Sequence, residues 1–205
     1  MRLAARPRVT PSHYTLPLAV RVAYLGPPGT FSEDALRAAI GDQEVEAIPS
    51  ASVYDAIVAI REGEADRALV PFENSVEGAV TATLDTLAFD ADGLTLVGEY
   101  DLPIRHCLIA REEIPLERIE AVVSHPQASA QCARFIRENL PKAEVRAAPS
   151  TAEAVRIVAE SDRPWAALGA ESAARLYVRR FYVYDGRTVT RPAPRRRAPR
   201  QTESS

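Results

Sequence analysis

The sequence predicts an α/β fold made of βαβ units with parallel strands, and two observations carry that reading. From Arg21 onward, short apolar or β-branched runs alternate with amphipathic segments, as expected where crossover helices join strands. The 205 residues suffice for one sizeable core, or for two small α/β lobes that share a cleft.

The elements follow in order. Val22-Ala23-Tyr24-Leu25 is the first strand, and Ser32 to Ile40 the first helix, stopped by Gly41. Val45 to Ile48 is the second strand. A helix from Ser52 to about Glu62 places Val53, Ala56, Ile57 and Ile60 on one face. Arg67 to Phe72 is a third strand and Val80 to Phe89 a third helix. Leu94 to Leu102 reads as a long strand that runs through Pro103 into Arg105 to Ala110, where the chain crosses between lobes. The second set begins near Ile119, with strands at 121–123, 144–148 and 165–169. Helices are expected at 127–139, 151–160 and 171–177. After Tyr177 the periodicity fails, and the composition of 186–205 suits a disordered tail. Residues 1–20 read as a loose extension or as an upstream start-codon choice.

Composition narrows the function. With 46% hydrophobic and 26% charged residues and a net charge of −3, the chain lacks the basic excess of a general nucleic-acid binder. From Arg179 onward, however, eight arginines face only Asp185 and Glu203. Cys107 and Cys132 form no C-x-x-C pair, so free, buried thiols in a reducing cytoplasm are expected. No apolar run approaches the roughly 18–20 residues of a membrane span. The short stretch Leu16 to Val20 makes a poor signal peptide.

Ligands of parallel α/β sheets bind beyond the carboxyl ends of the strands, where helix N-termini offer unpaired N–H groups. Four junctions here carry unusual polar chemistry. In Gly26-Pro27-Pro28-Gly29-Thr30-Phe31-Ser32, Thr30 and Ser32 can cap the helix or donate to a ligand. The loop is not a P-loop, because no Gly-Lys-[Ser/Thr] follows. In Pro71-Phe72-Glu73-Asn74-Ser75-Val76-Glu77-Gly78, Asn74 can fix a carboxylate or hydroxyl and Ser75 can donate, with an N-cap in a surface turn as the alternative. In Ser124-His125-Pro126-Gln127, Gln131 lies one turn beyond Gln127 on the same helix face. His125 is either a general acid or a capping or packing residue. Ser150-Thr151-Ala152-Glu153 fits a capping box, with Thr151 able to face the cleft. His106 has no partner visible in sequence, and His13 is assigned nothing.

Taken together and in order, GPPGTFS, PFENSVEGAV, SHPQASAQC, STAEAV and AALGAESAARLY closely resemble the prephenate dehydratase family over about residues 21–177. The resemblance implies conversion of prephenate to phenylpyruvate, with loss of water and carbon dioxide, in phenylalanine biosynthesis. It implies a two-lobe, type 2 periplasmic-binding-protein-like α/β fold with the active site in the interlobe cleft. No metal or organic cofactor is implied. A cytoplasmic homodimer is implied, with no nucleic-acid or membrane partner. The catalytic domain would cover 21–185: lobe 1 about 21–103 plus a return segment after 177, and lobe 2 about 104–177. Carried over from the family, Asn74, Ser124 and Gln131 are substrate-site residues, with Thr30 and Ser32 as companions and Ser75 and Thr151 as further candidates. Arogenate dehydratase, which uses the same scaffold, is not separated from this reading by the motifs.

The sequence departs from the family after Tyr177. The family's hallmark is Thr-Arg-Phe, whose threonine assists the leaving group; the nearest match here is Thr190-Arg191-Pro192. Either Thr190 is a displaced catalytic threonine, or 178–205 come from a reading-frame slip in GC-rich DNA. A basic tail for an acidic partner is a third reading. Weak or absent turnover is expected, leaving a small-molecule binding module. The family often adds an ACT domain that binds phenylalanine. This chain ends before one fits, so feedback inhibition is not expected of it.

Overall fold

The computed structural model describes residues 19–74, 78–178, 182–184 and 189–190. Two sheets organise them. In the first, β1 (Val20–Leu25) lies between β2 (Val45–Ser50) and β3 (Arg67–Leu69), all parallel. The crossover helices are α1 (Phe31–Ile40) and α2 (Val53–Arg61). Strand alternation sorts the core: Val22 and Tyr24 pack with Leu36 of α1, while Ala23 packs with Ala56 and Ala59 of α2. Both helix boundaries follow the expected signals. Ser52 caps α2 by accepting from the Asp55 N–H at 3.0 Å, and Gly41 ends α1 with φ 57°.

β4 (Glu73–Asn74) and β5 (Gly78–Ala79) then form a short antiparallel hairpin, followed by α3 (Thr81–Phe89), which packs on α2. The long strand expected over Leu94 to Leu102 does not form; residues 94–106 have no regular structure. Its alternation is strand-like, but no described strand pairs with it. An unpaired strand leaves its N–H and C=O groups to water, and Leu96 and Val97 remain 69% and 80% exposed.

The second sheet comprises β6 (Cys107–Ala110), β7 (Ala121–Ser124), β8 (Glu144–Ala147), β9 (Trp165–Gly169), β10 (Tyr182–Tyr184) and β11 (Val189–Thr190). Their order is β11-β10-β6-β9-β7-β8. β7, β8 and β9 are parallel, as βαβ units require, but β6, β10 and β11 run antiparallel to their neighbours. The sheet is therefore mixed rather than wholly parallel, because β6 enters from the irregular linker and not from a crossover helix. Helices α4 (Pro126–Gln131), α5 (Ala133–Asn139), α6 (Thr151–Glu160) and α7 (Glu171–Tyr177) complete it. The single helix expected over 127–139 is two, broken at Cys132, whose φ −96° and ψ 7° leave the helical region. β6 and β7 are buried at every residue, as in a sheet covered on both faces. One face packs Ile109, Val123 and Ala167 against α6 and α7; the other packs Leu108, Val122 and Leu168 against α5.

The described residues after Val178, β10 and β11, join the second sheet. β10 pairs with β6, and Val189–Thr190 pair with β10 although they fall inside the expected disordered tail. Once β9 has taken one edge of β6, the other edge remains open for β10. The remainder of 179–205, and 1–18, lie outside the described residues.

Candidate active site

The first loop is folded inward. Thr30 is buried, and its hydroxyl donates to the Leu25 carbonyl at 3.2 Å. It stands at the N-cap of α1 without a side-chain capping bond. The Gly29 N–H is instead taken by the Glu33 carboxylate at 2.7 Å, and Glu33 is also paired with Arg37. A carboxylate thus already occupies part of this helix start. Ser32 is half-buried, one residue further along α1.

α7 from the second half of the chain packs directly on this loop. The Tyr177 hydroxyl donates to the Pro28 carbonyl at 2.9 Å, and the Ser172 hydroxyl donates to Asp34 at 2.9 Å. Gly29 has φ 84° and approaches so closely that a Cβ would stand 3.0 Å from the Ala173 Cα. Burial raises the Asp34 carboxyl above the usual range, with the Ser172 hydrogen bond opposing it. Burial raises the Tyr177 hydroxyl as well.

Asn74 is half-buried in β4, and Ser75 lies outside the described residues. The hairpin is anchored from behind. The Val80 N–H donates to the Phe72 carbonyl at 2.8 Å, and the buried Thr83 hydroxyl donates to the Pro71 carbonyl at 2.5 Å.

The third junction resolves two open questions. His125 is the N-cap of α4, its Nδ1 accepting from the Gln127 N–H at 3.3 Å. Ser124 ends β7 at 0% exposure and donates to the Leu168 carbonyl of β9 at 2.8 Å. Its proton is committed inside the sheet, so towards a ligand this hydroxyl has only lone pairs. Gln131, at the end of α4, meets the His106 imidazole: Oε1 stands 2.8 Å from Nε2. His106 in turn packs edge-on against Phe31, with centroids 5.1 Å apart and an interplanar angle of 88°. Phe31 of the GPPGTFS loop and Gln131 of the SHPQ helix are thereby joined through one imidazole. Sequence reasoning left His106 without a role. Its only signal was a polar residue directly before the buried strand Cys107-Leu108-Ile109-Ala110, and both partners are distant in the chain.

At the fourth junction Ser150 caps α6 by accepting from the Glu153 N–H at 3.0 Å. The reciprocal half of the capping box is not used, because the Glu153 carboxylate faces Arg156 at 2.8 Å. That pairing holds Glu153 below the usual carboxylate range. Thr151 is half-buried in the first turn of α6. Thr190 lies in β11, in register with Val183 of β10, which is in register with Ile109 of β6. The structure thus joins the first and third junctions. Thr151 lies on α6, which packs on α7.

The family model described as prephenate dehydratase matches residues 22–185. The chain belongs to the prephenate dehydratase family. A prephenate dehydratase from Amycolatopsis methanolica is 47% identical over 136 residues, covering 65% of this chain and 43% of that one. One from Lactococcus lactis subsp. cremoris is 38% identical over 159 residues, covering 77% and 55%. The chain thus spans about half the length of the curated relatives it matches. The crystal structure of the Arthrobacter aurescens prephenate dehydratase in complex with L-Phe superposes with a TM-score of 0.72 at 36% identity, covering 86% of this chain and 63% of that one. The two-lobe α/β expectation therefore stands. The prephenate dehydratase match takes in Thr30, Ser32, Asn74, Ser124, Gln131 and Thr151 and ends at Asp185, short of Thr190.

Proposed function

We propose that this chain forms the catalytic domain of a prephenate dehydratase, over residues 21–185, in the cytoplasm and as a homodimer. The observation that carries the reading is the family match, which takes in all four polar junctions. In the reaction, the bond between the ring and its carboxylate breaks and the carboxylate leaves as carbon dioxide. The electron pair moves into the ring, and the ring hydroxyl takes a proton and departs as water. The ring becomes aromatic, so the protein's task is to hold two carboxylates and assist the departing hydroxyl.

This site does so with neutral groups. Asn74 and Gln131 are the side-chain amides that fix the substrate. Thr30, Ser32 and Thr151 line the helix starts around it, and Ser75 is a further donor to the ligand. Ser124 sets the turn before α4 by tying β7 to β9. Helix N-termini favour anions without lysines, which suits a chain whose single lysine is Lys142. The threonine of Thr-Arg-Phe that would protonate the departing hydroxyl has its nearest counterpart here in the displaced Thr190.

The test is calorimetric titration of the full chain with prephenate, alongside an assay of phenylpyruvate by its alkaline absorbance, with arogenate as competitor. Binding of prephenate in preference to arogenate supports the reading. Failure to bind either compound, or preference for arogenate, overturns it.

A further inference from the structure

The Gln131 amide and the His106 imidazole can share their 2.8 Å contact in two ways. Either His106 Nε2–H donates to Gln131 Oε1, or the Gln131 amide nitrogen donates to an unprotonated Nε2. The other ring nitrogen decides between them. Nδ1 of His106 is buried and has no hydrogen-bond partner among the described residues. In the first arrangement a neutral ring leaves Nδ1 as a lone acceptor; in the second it leaves a buried N–H with nothing to donate to. Orphaned N–H groups are the rarer and costlier of the two. Phe31 holds the ring against rotation from its side, in an edge-to-face contact.

We infer that His106 is a positioning residue: it donates to Gln131 Oε1 and so fixes Gln131 as a two-proton donor to an oxygen of the bound ligand. The inference rests on the reading of Gln131 as a substrate contact. Left unheld, a glutamine amide presents either its oxygen or its nitrogen. With its oxygen turned to His106, the amide turns its two N–H groups the other way, and these suit a carboxylate or hydroxyl oxygen rather than a donor. His106 also ties this polarity to the first loop, because Phe31 is the first residue of α1.

The experiment measures prephenate affinity of the full chain by calorimetry for wild type, Gln131→Ala, His106→Phe, His106→Gln and the double variant Gln131→Ala/His106→Phe. His106→Phe keeps a ring against Phe31 but removes the donor, and should weaken binding about tenfold, a factor worth about 1.4 kcal/mol. His106→Gln restores a donor and should recover most of that loss. The double variant should bind no worse than Gln131→Ala, since His106 acts through Gln131. Long-range proton–nitrogen spectra at pH 8 should show the His106 proton on Nε2. Wild-type affinity in His106→Phe, together with weakened binding in Gln131→Ala, overturns the inference and leaves the substrate reading intact. So do additive losses, or a proton on Nδ1. Normal binding by Gln131→Ala removes the substrate reading itself, and this inference with it.

Discussion

The Ser172 hydroxyl donates to the Asp34 carboxylate at 2.9 Å, joining the start of α7 to the first turn of α1 across 138 residues of sequence. Two opposing effects meet there. Burial raises the Asp34 carboxyl above the usual range, while the Ser172 hydrogen bond pulls it back.

The sign of the resulting pH dependence is fixed. A carboxyl whose folded value lies above its unfolded value binds more protons in the fold. Its contribution to stability is therefore complete below the unfolded value, and is lost as pH rises through the raised one. Relative to Asp34→Asn, the wild type should lose stability as pH climbs from the usual carboxylate range, and then level off. Denaturation midpoints across pH 3–7 measure this. A wild type that gains on the variant as pH rises would show that Asp34 is stabilised as the anion. In Ser172→Ala the Asp34 value should move further up, as followed by carboxyl NMR shifts.

Gly29→Ala tests the same contact from the loop side. At φ 84°, an alanine there is strained, and its Cβ would stand 3.0 Å from backbone at Ala173. Gly41 also has positive φ, 57°, but nothing stands within 4 Å of its added Cβ. Backbone strain alone, with Gly41 at ψ −127° outside the left-handed helical region, costs about 1–3 kcal/mol. Gly41→Ala should stay near that figure, whereas Gly29→Ala should exceed it by displacing α7. Equal losses at the two sites in chemical denaturation would mean that the loop and α7 part without cost.

Local signals were legible in the sequence, and relationships between distant residues were not. Ser52, Gly41 and Ser150 marked helix ends because capping involves only a few neighbouring residues. The strand expected over Leu94 to Leu102 had the right alternation, but a strand exists only with a neighbour, and a one-dimensional pattern cannot say whether one is present. Of the site, the helix starts were visible. It was not visible that Thr30 and Ser124 spend their protons on Leu25 and Leu168, or that Glu33 covers the Gly29 N–H. His106 stayed silent for the same reason: Gln131 is 25 residues away and Phe31 lies in a different sheet's helix.

Ser124→Ala separates architecture from recognition. The change removes a buried hydrogen bond between β7 and β9 and leaves the Leu168 carbonyl without it, a loss of about 1–3 kcal/mol. Because the Ser124 proton is already committed, prephenate affinity should fall less in this variant than in Gln131→Ala. Calorimetry at a temperature where both variants are folded makes the comparison. A larger loss of affinity in Ser124→Ala would show that the hydroxyl leaves Leu168 to meet the ligand.

Turnover should be the weakest property of this chain, because the residues proposed to hold the substrate and the residue that would protonate its leaving group differ in how well they match the family. The prephenate dehydratase match ends at Asp185, and Thr190 is followed by Arg191 and Pro192 where the family hallmark has phenylalanine. A positioned general acid contributes about 10²–10⁴-fold to rate. The 205-residue chain should therefore bind prephenate yet form phenylpyruvate slower, by about that factor, than a relative carrying intact Thr-Arg-Phe. Thr190→Val should leave the residual rate unchanged, since Thr190 lies beyond the matched residues 22–185. Single-turnover measurement of phenylpyruvate formation, with each protein in excess over substrate and saturating it, isolates the chemical step from binding. A steep loss in Thr190→Val would instead assign the proton to Thr190 and show that the displaced motif still works.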